Sequence, residues 1–167
     1  ERSAKDAFNP LKNKFYPKKI FVEKIVKGSY LAKRFKNAFP KADFCQIPAL
    51  KDYLKQQKRY GIVDYNARRD TVFIVEQKDD FFKKCPCTKG TVACGYHIFN
   101  LGFGCIFDCA YCYLQECTNT PGIILPANLD KFFKTFNFYK TKGMRMGTGE
   151  FSDSLALDNI TEYSLSI

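Results

Sequence analysis

The chain has 167 residues, which is enough for one ordinary domain or for a small domain and part of a second. Its content of 46% hydrophobic and 16% aromatic residues provides for a packed core and excludes a disordered chain. No apolar run approaches the roughly 18 residues that a membrane-spanning helix needs, and the sequence therefore predicts no such helix. The formal net charge is +10.

The first half of the chain alternates strand patterns with helix patterns. Apolar and β-branched runs predict strands at 19–26, 42–47 and 71–75. Apolar residues at helical spacing predict helices between them, at 30–39 and 50–60. This alternation favours a small three-layered α/β lobe with parallel strands, and we place its end near residue 80.

The second half of the chain reads as a further succession of strands and helices. Strands are predicted at 96–101, 123–125 and 143–148, and an amphipathic helix is predicted at 129–139. A helix or turn is expected to start at Cys112. Ligand-type residues follow these strands at their carboxyl ends, where α/β barrels keep their active sites.

The excess of positive over negative charge is confined to the first third of the chain. Residues 1–60 hold 16 Lys or Arg against 5 Asp or Glu, whereas residues 61–167 hold 11 against 12. A basic lobe beside a near-neutral lobe is typical of an enzyme that binds a polyanion, and we predict nucleic acid as the partner. The alternative is a lysine-rich surface that only improves solubility, since no compact run of like charge appears.

The most specific motif is the C-x3-C-x2-C spacing of Cys105, Cys109 and Cys112. Three thiolates on one short loop can bind three irons of a [4Fe–4S] cluster and leave the fourth iron without a protein ligand. An open iron indicates chemistry at that position, because purely structural metal sites normally have four protein ligands. The motif therefore favours a catalytic iron–sulfur loop.

Other interpretations of the cysteines stay open at this point. A zinc site could form if one further cysteine joined the trio, and buried core thiols are a second alternative. The candidate fourth ligands are Cys85, Cys87, Cys94 and Cys117. The first three of these could also bind a second metal of their own. Reduced, metal-binding cysteines in the cytoplasm are expected rather than disulfides.

Three segments resemble the spore photoproduct lyase family of radical S-adenosylmethionine (SAM) enzymes. They are residues 95–100, residues 104–115 with the run Cys-Tyr-Cys-Tyr-Leu-Gln, and residues 147–155 with the run Gly-Thr-Gly-Glu-Phe-Ser-Asp. The similarity extends over nearly the whole chain. It implies an α/β fold in which a small parallel N-terminal lobe at 1–80 precedes the first β/α units of a radical SAM partial TIM barrel at 81–167.

The resemblance also implies roles for individual residues. The cysteines of the loop match the cluster ligands, and Tyr111 matches the aromatic position beside the adenine of SAM. Tyr113 matches a tyrosine near the path of the radical and is the candidate catalytic residue. Gly149 and Glu150 resemble the segment that binds the amino group of SAM, and Ser152 lies at the same strand end. A carboxylate near the cluster suits the ammonium of SAM.

The implied reaction is reductive cleavage of SAM to a 5′-deoxyadenosyl radical, which reverts a thymine dimer in DNA. The implied cofactors are a [4Fe–4S] cluster and SAM, and flavodoxin or ferredoxin is the implied electron donor. Members of the family carry a hydrogen-donor cysteine in the segment aligned with residues 149–153, where this chain has Glu150 and Phe151. The prediction is therefore repair of thymine dimers or a related reaction.

Only 55 residues follow Cys112, which is room for about two β/α units, whereas a radical SAM partial barrel needs about six. We therefore expect the chain to be a fragment of a longer enzyme and to be inactive in isolation. The alternative function, from another class, is a zinc-stabilised module that binds nucleic acid without catalysis.

Overall fold

A computed structural model of the chain describes residues 15–56, 68–78, 82–92, 94–107, 109–118, 120–140 and 142–166. The strands are β1 (Lys19–Glu23), β2 (Asp43–Ile47), β3 (Thr71–Val75), β4 (Phe82–Lys84), β5 (Tyr96–Phe99), β6 (Ile123–Pro126) and β7 (Arg145–Gly147). The α-helices are α1 (Tyr30–Ala38), α2 (Leu50–Gln56), α3 (Leu114–Cys117), α4 (Leu129–Tyr139) and α5 (Asp158–Thr161). The predicted end of the second helix, at 57–60, lies outside the described residues.

Four strands form a parallel sheet in the order β2-β1-β3-β6. Both faces of this sheet are covered, as is usual for parallel sheets, and its central strands are accordingly continuous apolar runs. On β3, Val72 and Ile74 contribute to one core, whereas Phe73 and Val75 contribute to a smaller core on the opposite face. The predicted parallel α/β architecture is confirmed.

Helix α1 covers the larger of these two cores. The hydroxyl of Ser29 accepts a hydrogen bond from the backbone N–H of Ala32 at 3.2 Å and so caps the helix start. Leu31, Ala32 and Phe35 are buried along one face. Residues 24–26, predicted as the end of a strand, instead form a short 3-10 turn after β1.

The remaining three strands form a second sheet in the order β4-β5-β7. Strands β4 and β5 are antiparallel, and β5 and β7 are parallel. The described residues contain no closed barrel, in agreement with the predicted partial one. Strand β6 follows residue 80, the predicted boundary between the two domains, but it pairs with β3 in the first sheet. The division of the chain into two domains stays a prediction.

Helix α4 joins the second sheet to the larger core. Its Phe132 is buried and stacks on Phe99 of β5, and Phe136 packs edge-on against Phe82 of β4. The aromatic face of this helix is therefore core. Among the described residues, no helix combines the length and the hydropathy that crossing a membrane would require.

Candidate functional site

The cysteine loop leaves the end of β5 through a short bridge to β6. The N–H of Phe103 donates to the carbonyl of Ile124 at 3.0 Å, and the N–H of Ile124 donates back at 2.8 Å. Gly104 then turns the chain with a φ of +81°, in the left-handed region that favours glycine. A Cβ on Gly104 would lie 3.1 Å from the carbonyl oxygen of Gly122. Glycine is thus required by both the turn and the space.

Cys105, Cys109 and Cys112 follow this turn, and all three are half-buried free thiols. The carbonyl of Cys109 accepts hydrogen bonds from the N–H of Cys112 at 2.9 Å and from Nε2 of Gln115 at 2.8 Å. Helix α3 starts directly after the loop. The three sulfurs do not all lie within 4.8 Å of one another, which is wider than the spacing around a single metal ion.

The segment at 149–152 lies against the entry of this loop. The N–H of Gly104 donates to the carbonyl of Phe151 at 3.0 Å, and the rings of Phe103 and Phe151 stack at 5.1 Å. The phenol of Tyr113 donates to the backbone carbonyl of Glu150 at 2.9 Å. The structure therefore brings together two segments that are more than 35 residues apart in the sequence.

Lys83 of β4 is a site residue that sequence reasoning missed. Its Nζ lies 2.9 Å from Oε2 of Glu150 and 5.2 Å from the ring centre of Phe151. The first contact brings opposite charges together without the geometry of a hydrogen bond, since Oε2 has no hydrogen-bond partner among the described residues. Strand β4 has only three residues, too few for a strand period to be recognised, so sequence analysis did not place this lysine.

Ser152 lines a crevice beside the first cysteine of the loop. The lining of this crevice is largely apolar, and its polar members include Cys105, Ser152, Asp153, Ser154 and Thr161. The hydroxyl of Ser154 is fixed by a contact of 2.6 Å with the hydroxyl of Thr148. A small polar group could therefore bind between the cysteine loop and the end of β7.

The remaining predicted site residues are open to solvent. Tyr111 is 92% exposed and Tyr113 is 61% exposed, and Gly149 is exposed as well. The structure does not bring Tyr111 against Glu150 or Ser152 by any contact among the described residues. Its exposed ring is available for packing against a bound molecule.

The structure removes one residue from the predicted basic surface. Arg34 is engaged within the fold: Nη1 lies 2.8 Å from Oε1 of Glu162, and the guanidinium also donates to the carbonyls of Asn159 and Ile160. It therefore anchors α1 to α5. Lys33 and Lys36, by contrast, line an open groove on the same helix. Lys12 and Lys14 lie outside the described residues.

A second trio of thiols lies in the loop between β4 and β5. The sulfurs of Cys85, Cys87 and Cys94 all lie within 4.8 Å of one another, and those of Cys87 and Cys94 are 3.4 Å apart. Burial, together with the neighbouring thiols, raises the pKa of Cys85 to about 11. The backbone N–H of Tyr96 lowers the pKa of Cys94. The side chain of Cys117 lies outside the described residues.

Solved structures share this arrangement of elements. A spore photoproduct lyase mutant with bound AdoMet and dinucleoside spore photoproduct matches with a TM-score of 0.68 and 21% identity, over 92% of this chain and 45% of that chain. The chain has the fold of a partial spore photoproduct lyase. A second spore photoproduct lyase structure, complexed with dinucleoside spore photoproduct, matches with a TM-score of 0.65 and 19% identity. It also covers 92% of this chain and 45% of that chain.

The resemblance to spore photoproduct lyase is thereby confirmed at the level of the fold. The chain spans less than half the length of the spore photoproduct lyase structures that it matches. No protein-family profile matches the chain, and no curated protein sequence matches it either.

Proposed function

We propose that the chain is part of a radical SAM enzyme similar to spore photoproduct lyase, which cleaves SAM reductively to act on DNA. The observation that carries this proposal is the junction between the cysteine loop and the segment at 149–152. The hydrogen bond from Gly104 to Phe151 holds a three-thiol loop against a carboxylate-bearing strand end. The cluster ligands and the carboxylate proposed to bind the ammonium of SAM would then lie on either side of one junction.

The donor set of the loop fits a [4Fe–4S] cluster. Cys105, Cys109 and Cys112 are free, half-buried and spread wider than the ligands of one ion, as thiolates on three different irons must be. When bound, such a cluster would supply the electron for reductive cleavage of SAM to a 5′-deoxyadenosyl radical. The cysteines would hold three irons and leave the fourth for SAM.

The other residues would bind and orient SAM. The carboxylate of Glu150 would attract the SAM ammonium, and the hydroxyl of Ser152, in the crevice beside Cys105, would accept or donate a hydrogen bond. The exposed ring of Tyr111 would pack against the adenine. Tyr113, whose phenol donates a hydrogen bond to the backbone carbonyl of Glu150, is our candidate for the catalytic residue near the radical.

Lys83 would tune this carboxylate in two ways. Its ammonium offsets the charge of the Glu150 carboxylate, and its contact with the Phe151 ring keeps the strand end in place. It also competes with SAM for the same carboxylate. Lys83→Met should therefore change SAM affinity and leave the number of bound irons unchanged.

We propose that the nucleic-acid substrate is DNA, supported by the basic residues of the first third. The similar solved structures hold dinucleoside spore photoproduct. Of the predicted basic surface, the described and exposed lysines that would contact phosphates are Lys18, Lys19, Lys33 and Lys36. Binding to duplex DNA should then weaken steeply with salt, because neutralised phosphates release counterions.

Anaerobic reconstitution with iron and sulfide tests the proposal. Wild-type chain should bind about four irons, and Cys105→Ala, Cys109→Ala and Cys112→Ala should each bind almost none. Cys45→Ala is the matched control, since Cys45 is also a half-buried free thiol and should leave the iron content unchanged. An electron paramagnetic resonance signal that changes when SAM is added would support binding of SAM beside the cluster.

Two outcomes would contradict the proposal. Equal iron loss in all four variants would mean that the loop cysteines are not the ligands. A colourless protein that binds zinc through the loop and also binds DNA would instead establish the alternative, a zinc-stabilised nucleic-acid-binding module. Formation of 5′-deoxyadenosine should be assayed beside a longer form that completes the barrel, because we expect the 167-residue chain to be nearly inactive.

A further inference from the structure

The thiol trio of the β4–β5 loop is separate from the cysteine loop and has a geometry of its own. Cys85 follows β4 directly, and Cys94 lies two residues before β5. Their sulfurs and that of Cys87 all lie within 4.8 Å of one another. Three thiols from an eleven-residue connection therefore converge on one point, whereas the sulfurs of the cluster loop stay apart.

The backbone of the hairpin fixes this convergence. Strands β4 and β5 pair with Lys84 opposite His97, and the N–H of Cys85 donates to the carbonyl of Tyr96 at 2.8 Å, which extends the pairing by one step. The N–H of Cys87 donates to the carbonyl of Cys85 at 2.8 Å, a tight turn around Pro86 that folds Cys87 back. The cysteines are thus held by main-chain hydrogen bonds.

The distances suit a single tetrahedral ion. Zn–S bonds of about 2.3 Å place the sulfurs of a tetrahedral site about 3.8 Å apart. The 3.4 Å between Cys87 and Cys94 and the limit of 4.8 Å for the whole trio bracket that value. Thiolates are soft ligands that favour zinc over the hard cations magnesium and calcium. No His, Asp or Glu of the described residues joins the trio.

We propose that Cys85, Cys87 and Cys94 bind a Zn²⁺ ion that closes the β4–β5 hairpin, with the fourth position taken by water or a small thiol. Three thiolates around the ion leave one net negative charge, and the exposed Lys84 and Lys89 flank the site in the chain. Binding would release the thiol protons, as zinc does at cysteine sites in general.

The ion would affect the candidate SAM site through strand β4, because it holds the end of that strand against β5. Lys83 lies two residues before Cys85 and carries the ion pair to Glu150. Phe82 of the same strand stacks on the ring of His97 at 5.1 Å. Loss of zinc should loosen the end of β4 and with it the position of Lys83, while the cluster ligands, on a different loop, should stay in place.

Zinc binding is tested in the full chain with Cys105, Cys109 and Cys112 all replaced by alanine, so that the cluster loop cannot contribute ligands. We expect about one equivalent of Zn²⁺ and, with Co²⁺ instead, an intense thiolate-to-cobalt charge-transfer band. Adding Cys85→Ser, Cys87→Ser or Cys94→Ser should reduce the bound metal at least about tenfold. Adding Cys45→Ser is the matched control and should not.

A measurement on the unmodified chain covers the case in which a serine variant fails to fold. Zn²⁺ added before iodoacetamide should protect all three cysteines from alkylation, as read by peptide mass spectrometry, and leave Cys45 reactive. Metal that persists in every serine variant would overturn the proposal. So would iron at this trio, or a Cys87–Cys94 disulfide formed without bound zinc. These results do not depend on the cluster, so the proposed function can fail separately.

Discussion

Gly104→Ala should damage the cysteine loop, and Gly143→Ala provides a matched control. Gly104 has a φ of +81° and Gly143 has a φ of +80°, so an alanine pays the same left-handed backbone cost at each site. The two sites differ in space. A Cβ on Gly104 meets the carbonyl oxygen of Gly122 at 3.1 Å and the Cα of Ile123 at 3.4 Å, whereas a Cβ on Gly143 meets nothing within 4 Å.

The magnitudes follow from these two terms. An alanine in the left-handed region destabilises the folded state by about 1–2 kcal/mol. The lower conformational entropy of the unfolded chain offsets about 0.4–1 kcal/mol of this cost. Gly143→Ala should therefore lower the free energy of unfolding by roughly 1 kcal/mol. The atoms that Gly104→Ala approaches are backbone atoms of the β6 region and cannot rotate away. Crowding of this kind costs a further 1–3 kcal/mol or so, which gives roughly 2–4 kcal/mol in total.

Urea unfolding followed by circular dichroism measures the difference. With a slope of about 2 kcal/mol per molar, the midpoint of Gly104→Ala should lie about 0.5–1.5 M below that of Gly143→Ala. Displacement of the backbone at residue 104 by the added Cβ should also break the hydrogen bond from Gly104 to Phe151. The variant should therefore bind less iron after reconstitution. Equal midpoints and equal iron contents in the two variants would refute the close approach at Gly104.

Three further predictions concern other parts of the chain. Tyr163→Phe removes a buried 2.6 Å hydrogen bond to a backbone carbonyl and should cost about 1–2 kcal/mol in the free energy of unfolding. Because burial raises the pKa of Tyr163, wild type should lose stability as the pH rises above about 10, where the unfolded phenol ionises, and the variant should lose less; equal alkaline profiles would contradict this. Arg34→Gln should lower the urea midpoint and leave the salt dependence of DNA binding unchanged, whereas Lys33→Glu should reduce that dependence and leave the midpoint unchanged; the reverse pattern would place Arg34 on the DNA surface. In metal-free chain at pH 8, iodoacetamide should modify Cys94 before Cys85, since the pKa of the first thiol is lowered and that of the second is raised; equal rates by mass spectrometry would show that the two pKa values do not diverge.

The elements that sequence analysis predicted correctly are those whose pattern is local. The β-branched run at Thr71–Val75 and the helical aromatic spacing at Leu129–Tyr139 have in the structure the bounds that their periodicity predicts. The C-x3-C-x2-C spacing predicted a ligand loop because metal ligands on one loop leave their spacing in the sequence. Each of these signals lies within a dozen consecutive residues, where backbone geometry alone relates the side chains.

Which of these elements contact one another depends on the folded chain as a whole. Nothing local indicates that β6 pairs with β3 or that Lys83 reaches Glu150, and the sequence left open whether Cys85, Cys87 and Cys94 converge. β4 has only three residues, too few for a strand period to be read. Contacts of this kind are stabilised by pairing and burial between distant segments, and their energy exists only once the chain has closed the intervening loops. The sequence therefore indicates the cysteine loop and the candidate carboxylate Glu150, and the fold adds Lys83 beside that carboxylate and brings the second thiol trio together.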